Sequence, residues 1–350
     1  MPKFLLAGYL LICLFSTASA QTYSGPESVE WIPGTHDFLI SNTTSHQVLR
    51  RSGNGSLSLF ASGFTSGPHG LELAGDTLYC CSGGHLLGYR LSTGLQAFDL
   101  NLNATFLNGI THDLQGNVFA TDFSANKIYR ISRATLSFDV FCSGLPNTPN
   151  GILFDAAHHR LLVVTWGNNA PVLAASLLDS SISTLTNTSF SNCDGIQQDT
   201  SGHYYVTAWG TQSIYQFDSL FAQAPVQLIT GLHNPADIGY CPTGDTLAIP
   251  NAGNNTVVFY HLHSDTVSTG VFLLQPQRHL FPNPIAVGQP LLIQCPGQTQ
   301  LTLSDLQGRV LVRQTIEPGC PVATDGLIPG LYLAQLAGEG FLWTEKLLIR

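Results

Sequence analysis

Six short segments of this chain each open on a polar side chain followed by a turn or apolar run. They are "ESVEW" at 27, "HGLEL" at 69, "NGITHD" at 108, "NGILFD" at 150, "DGIQQD" at 194 and "DIGYCP" at 237. Their leading residues, Glu27, His69, Asn108, Asn150, Asp194 and Asp237, are three carboxylates, two amides and an imidazole. Such groups bind divalent cations or take and give protons. A carboxylate heading an apolar run, as Asp194 does, is costly unless it is paired or metal-bound. Carboxylate and amide oxygens facing one point form the hard-oxygen site that Ca²⁺ prefers. A cation there would offset the cost of converging carboxylates. The same residues could instead cap backbone groups of a neighbouring strand, or line a water-filled channel. Spacing alone leaves both readings open.

The elements that position them follow from the repeat. The six leading positions lie 39 to 44 residues apart, and each unit reads as strand, turn, strand, turn, strand. In "GNVFATDFSANKIYRIS" and "GHYYVTAWGTQSIYQFD" the Val, Ile, Tyr and Phe content and the alternation predict strands. Asp113 and Asp199 precede "LQG" and "TSG" and read as turn formers. A four-stranded unit of about forty residues, repeated, is the signature of a β-propeller. The expected fold is all-β: a six-bladed β-propeller over residues 22–265, then a small C-terminal β-sandwich. The six leading residues would form one ring at the central axis.

Composition agrees with short strands and tight turns. Of 350 residues, 44% are hydrophobic and only 10% charged, with 34 Gly and 19 Pro. The net charge is −9 and no basic run occurs, which excludes a nucleic-acid footprint. Residues 1–20 read as a signal peptide, with Lys3, the apolar "FLLAGYLLICLF" and Ala18-Ser19-Ala20 before Gln21. No other segment is long and apolar enough for a transmembrane helix. Eight cysteines include Cys13 in the leader; Cys295 and Cys320, both in the C-terminal module, are the preferred disulfide pair. Five sequons, among them Asn42-Thr43-Thr44, fall in polar loops where such triplets arise by chance. Nothing demands an oligomer, so a monomer is expected.

"PESVEW", "LNGITHDLQG", "PNGILFD" and "CDGIQQDTSG" together resemble the senescence-marker/gluconolactonase family of six-bladed propellers. The resemblance implies one divalent metal, Ca²⁺ preferred and Zn²⁺ the alternative, held by Glu27 (four residues before Trp31), Asn150 and Asp194. It places Asn108 near metal and substrate, and Asp237 is grouped with it as substrate-binding. "PHGLEL" resembles the His-Gly of paraoxonase-like arylesterases and lactonases, which implies a catalytic role for His69. The implied reaction is metal-assisted ester or lactone hydrolysis, with Asp194 or His69 as general base. The chain departs from the gluconolactonase pattern at Phe106, where that group has Arg, and at Gly109, where it has Asp. The skeleton is also shared by NHL-type propellers, which implies the alternative of a non-catalytic surface propeller that binds a ligand or protein.

After "FYHLHSDTVSTG" the repeat stops. Residues 266–279 read as a linker, and 280–350 carry "FPNP", "LTLSDLQGRVLVRQ", "GLIPGLYLAQL" and "EKLLIR". Asp305-Leu306-Gln307-Gly308 predicts a hairpin turn. The module resembles the C-terminal sorting domain of type IX secretion substrates. That implies a partner in the type IX machinery and a secreted or cell-surface protein of a Gram-negative bacterium. A small-molecule substrate or surface ligand is the other expected partner.

Overall fold

The computed structural model describes residues 21–262, 280–281, 283–293, 298–305, 309–317, 321–338 and 341–350. The leader, the linker, Cys295 and Cys320 lie outside them. The chain divides into two compact units, Met1–Leu262 and His263–Arg350.

In the first unit the chain folds into one antiparallel sheet after another, each with its strands in sequence order. The first holds Pro26–Trp31, Phe38–Asn42, Gln47–Arg51 and Leu57–Ser62. Five sheets have four strands; the sixth, Gly239–Cys241, Thr246–Asn251 and Thr256–His261, has three among the described residues. The innermost strands of the others are Pro68–Ala74, Leu107–His112, Thr148–Asp155 and Cys193–Gln198. Each touches the next, and the sixth touches the first, so the sheets close into a β-propeller. Consecutive sheets enclose their own apolar clusters, as with Leu162, Val164, Tyr204 and Val206 between the fourth and fifth. The closing interface has one too, built from Val29, Phe38, Ile40, Cys241 and Ala248. Stability is therefore spread around the ring, with each buried Leu, Ile, Val or Phe contributing roughly 1.5–3 kcal/mol.

The glycine after His69, Asn108, Asn150 and Asp194 has a steric cause. A Cβ at Gly151 would fall 2.4 Å from the Asp194 carbonyl oxygen and 3.0 Å from the Gly195 Cα. One at Gly195 would meet the Asp237 Cα at 2.7 Å. Gly109 donates to Thr121 Oγ1 at 2.9 Å, and that hydroxyl donates to the Asn150 carbonyl of the next sheet at 2.8 Å. Gly195, Thr207 and Ala236 repeat the relay at 2.7 and 3.1 Å. The first sheet has Ser28 at the glycine position, and Ser28 pairs in parallel with Asp237.

The turn aspartates behave as expected. Asp113 Oδ1 accepts from Gln115 and Asn117 at 2.9 and 2.7 Å, and Asp199 Oδ1 from Ser201 and His203 at 2.8 and 2.9 Å. Asn42 is buried, with its side chain bonded to Ser24 and Ile40, so that sequon is no surface acceptor. The five described cysteines are buried free thiols. No helix among the described residues is long and apolar enough to cross a membrane.

The second unit contains a three-stranded and a four-stranded sheet. Leu291, Ile293 and Val322 of the smaller sheet pack with Leu301, Leu303, Ala334 and Leu347 of the larger in one core. The centre of the hairpin at Asp305 lies outside the described residues; Asp305 and Arg309 bond across it.

Because the inner strands approach so closely, Gly151→Ala should lower stability by roughly 1–3 kcal/mol, seen as a lower melting temperature. An unchanged melting temperature would show that this contact does not constrain the ring.

Candidate channel-mouth site

Glu27, His69, Asn108, Asn150 and Asp194 each sit near the start of an inner strand, at an irregularity in its ladder. The ladder partners define the register. Pro26, Pro68, Leu107, Pro149 and Cys193 pair with Asn42, Ser82, Asp122, Thr165 and Ala208. In the sixth sheet it is Pro235 that pairs with Asn251. The residue in register with Glu27, His69, Asn108, Asn150 and Asp194 is therefore Ala236. Asp237 takes the position that glycine or Ser28 holds elsewhere, one residue further along than the repeat spacing placed it. The polar ring has five members and a small apolar gap. The cause is local: the sixth segment reads Ala-Asp-Ile-Gly, without a glycine directly after the polar residue.

Asp237 remains electrostatically part of the site. Its Oδ2 accepts from Ser28 Oγ at 2.8 Å, and Ser28 Oγ accepts in turn from Leu71 N at 3.1 Å. Its carboxyl is pushed up to about 7, mainly by burial, with a further push from Glu72. Glu27 rises well above the usual carboxylate range through burial, then through Asp194 and Asp237. Asp194 does likewise through burial and Asp237, opposed by the Asn150 and Trp209 side chains. The chain thus brings Glu27, Asp194 and Asp237 into mutual repulsion, with Asn150 beside Asp194.

Three buried oxygens here have no hydrogen-bond partner: Glu27 Oε2, Asn150 Oδ1 and Asp194 Oδ1. Asn150 spends its Nδ2 on the Cys193 carbonyl at 3.3 Å, leaving the oxygen alone. Trp209 Nε1 is a buried, unpartnered donor as well. The indole is near enough to favour the Asp194 carboxylate, yet it completes no hydrogen bond. No group of three or more His, Cys, Asp or Glu side chains gathers as a metal site among the described residues. The set here is two carboxylates and an amide oxygen.

His69 and Asn108 stand on the other side of the ring. His69 Nδ1 meets the Gly67 carbonyl at 2.9 Å, which requires the proton on Nδ1 and leaves Nε2 a lone pair. Burial holds the imidazole below its usual range, so it is neutral near pH 7. Its ring packs edge-on against Phe106 at 4.7 Å. Asn108 is buried in the ring.

A second polar layer lies deeper in the channel. Glu30, Glu72, Gln197 and Asp237 help line a cavity of about 20 Å³, room for about one water molecule. Glu72 bonds directly to His112 Nδ1, and Glu30 Oε1 accepts from Leu73 N at 3.2 Å. Repeat spacing singled out none of Ser28, Glu30, Glu72, His112 or Trp209. Ser28 and Trp209 were legible only as neighbours of a leading residue or of the following strand.

No family model matches the chain, and no curated protein matches its sequence. Solved structures do match. A structural-genomics protein of unknown function from Bacteroides thetaiotaomicron superposes with a TM-score of 0.58 at 13% identity, over 69% of this chain and 70% of that one. A calcium-binding protein, regucalcin, from Agrobacterium tumefaciens gives 0.54 at 14%, over 66% and 83%. Virginiamycin B lyase from Staphylococcus aureus gives 0.51 at 13%, over 70% and 86%. The likeness is one of fold.

Raised carboxyl pKa values have a definite sign. The folded chain keeps protons that the unfolded chain has already released, so stability falls as pH rises from near 3.8 through about 7, the window set by Asp237. In EDTA the melting temperature should therefore drop between about pH 5 and about pH 8. Asp194→Asn should flatten that slope and raise the value at the alkaline end. A wild-type protein with no such slope would mean the carboxylates do not repel one another.

Proposed function

We propose that the channel mouth holds one divalent cation through Glu27, Asn150 and Asp194, and that the propeller hydrolyses a carboxylic ester or lactone there. The carrying observation is the trio of buried, unpartnered oxygens, Glu27 Oε2, Asn150 Oδ1 and Asp194 Oδ1. Unmade hydrogen bonds at buried oxygens cost about 1–3 kcal/mol each, and a cation satisfies all three at once. An all-oxygen set favours Ca²⁺, with Zn²⁺ the alternative. When bound, the cation polarises a carbonyl and acidifies a water.

The chain's own groups supply the rest. His69 Nε2 is a neutral lone pair able to accept the water's proton and later return it to the leaving alcohol. Asp194 is the other candidate base, although a carboxylate occupied by a cation is the weaker acceptor. The Asn108 amide would orient a carbonyl or hydroxyl of the substrate. Asp237, held by Ser28, fixes the charge balance beside the ligands. Water adds to the acyl carbon, the ester C–O bond breaks, and acid and alcohol leave.

Export belongs to the same reading and rests on the leader and the motifs of 280–350. Deleting residues 280–350 should leave the propeller in the periplasm of a type IX-competent host, whereas the full chain reaches the surface or medium. Equal distribution of both would remove the sorting role.

Titrating the full chain with Ca²⁺ and with Zn²⁺ should raise its melting temperature, since binding to the native state alone stabilises it. Asp194→Asn should abolish the shift and the hydrolysis of a lactone panel at neutral pH. His69→Ala should keep the shift and lose turnover by about 10²–10⁴-fold. No shift with either ion overturns the metal site. A shift without turnover makes this a ligand-binding propeller.

A further inference from the structure

The mouth carries an aromatic wall that neither the ring nor the core accounts for. From His69 the rings run to Phe106 (4.7 Å between centroids), Phe123 (5.7 Å), Trp166 (6.0 Å) and Trp209 (5.1 Å), all edge-to-face. The series begins at His69 and ends at Trp209, whose indole acts on Asp194. The series thus runs from one residue proposed for proton transfer, His69, to the neighbour of the other, Asp194.

Three of these rings occupy one structural position. Phe123, Trp166 and Trp209 each follow the residue that pairs with the start of the inner strand, in the third, fourth and fifth sheets. The same turns of the first, second and sixth sheets carry Thr43, Gly83 and Ala252. One half of the rim is aromatic and the other half small. All four of Phe106, Phe123, Trp166 and Trp209 are partly exposed. None belongs to the apolar clusters that join neighbouring sheets among the described residues. The wall is also fixed in place. Asp122, between Phe106 and Phe123, accepts from Thr105 N at 2.8 Å and Phe106 N at 3.1 Å, and Phe123 N donates to the Phe106 carbonyl at 2.8 Å.

We infer that this half-rim is a subsite for the planar aromatic group of an uncharged ligand. Large rings at turn tips expose apolar area that a packing role does not require, and pre-set edge-to-face rings receive a further ring at little entropic cost. The charge is set by the neighbours: Trp209 acts on Asp194, Asp122 holds the backbone between Phe106 and Phe123, and no Lys or Arg adjoins any of the four rings along the chain. An aromatic ester or aryl lactone would then be hydrolysed in preference to a polyhydroxylated one. That substrate class rests on the hydrolase reading; the ring subsite does not.

The test separates the two. Acetanilide, a neutral aromatic amide that needs no turnover, is titrated by calorimetry into the full chain in EDTA, beside N-cyclohexylacetamide and benzoate. Acetanilide should bind, the saturated analogue about three- to tenfold more weakly, and benzoate more weakly still. Trp166→Leu and Phe123→Leu, which keep apolar bulk if the alanine variants fail to fold, should each weaken acetanilide about three- to tenfold and leave the saturated analogue unchanged. Equal binding of the flat and saturated amides, or no effect of either variant, overturns the subsite. Benzoate binding as well as acetanilide overturns the charge preference. With metal added, phenyl acetate should be cleaved faster than D-glucono-1,5-lactone. Acetanilide binding without any ester cleavage keeps the subsite and removes the hydrolase.

Discussion

The propeller depends on how closely its inner strands approach one another at the axis. A Cβ at Gly151 or Gly195 has no room beside the backbone of the next strand, so glycine is required there. With the backbones this close, the side chain just before each glycine has only the channel to enter. The relays through Thr121 and Thr207 then tie the third sheet to the Asn150 carbonyl of the fourth and the fifth sheet to the Ala236 carbonyl of the sixth. The positions of the polar leading residues are thus consequences of the contact that closes the fold. Rigidity of the site follows from the same cause, because no leading residue can shift without moving a neighbouring strand.

Closing the ring this way collects charge. Each sheet contributes one residue to a narrow axis; two of these, Glu27 and Asp194, are acids, Asp237 stands one position along from the sixth, and burial raises the pKa of all three. At the seam between the last sheet and the first, Asp237 replaces glycine and Ser28 faces it, so a side-chain hydrogen bond of 2.8 Å joins the backbone bonds from Asp237 N to the Glu27 carbonyl and from Val29 N to the Asp237 carbonyl. The seam is the least regular interface, and it is where the carboxylates meet.

Much of this was legible in the residues. The period near forty, the strand alternation and the turn aspartates Asp113 and Asp199 pointed to repeated antiparallel sheets, because local turn chemistry and a fixed period are written directly into the chain. The register of Asp237 was not, because matching one aspartate to another ignored the missing glycine, and a ladder partner, Asn251, was needed to set it. The aromatic wall was within reach: Phe123, Trp166 and Trp209 recur at the same period as the acids. Aromatic residues near a turn read equally well as core, so their period alone does not mark a rim. The pairing of Glu72 with His112 could not be read at all, since it joins side chains of two sheets whose facing positions depend on the strand register.

The two polar layers of the channel differ in how their charge is met. In the deeper layer charge is met by charge: His112 lies against Glu72, its imidazole raised by that contact, and Arg133 adds a further opposing field. Glu30 is pushed up by burial and by Glu72, but it spends one oxygen on a backbone N–H. At the mouth the shifts arise from burial and from one carboxylate acting on another, and three oxygens accept nothing. A folded chain can relieve that by holding protons, which makes the mouth acidic and neutral by turns as pH changes. A cation relieves it without a proton and leaves the adjacent His69 lone pair and the aromatic rim available to an organic partner. In the deeper layer opposite charges answer one another, whereas at the mouth like charges converge on three oxygens without a partner.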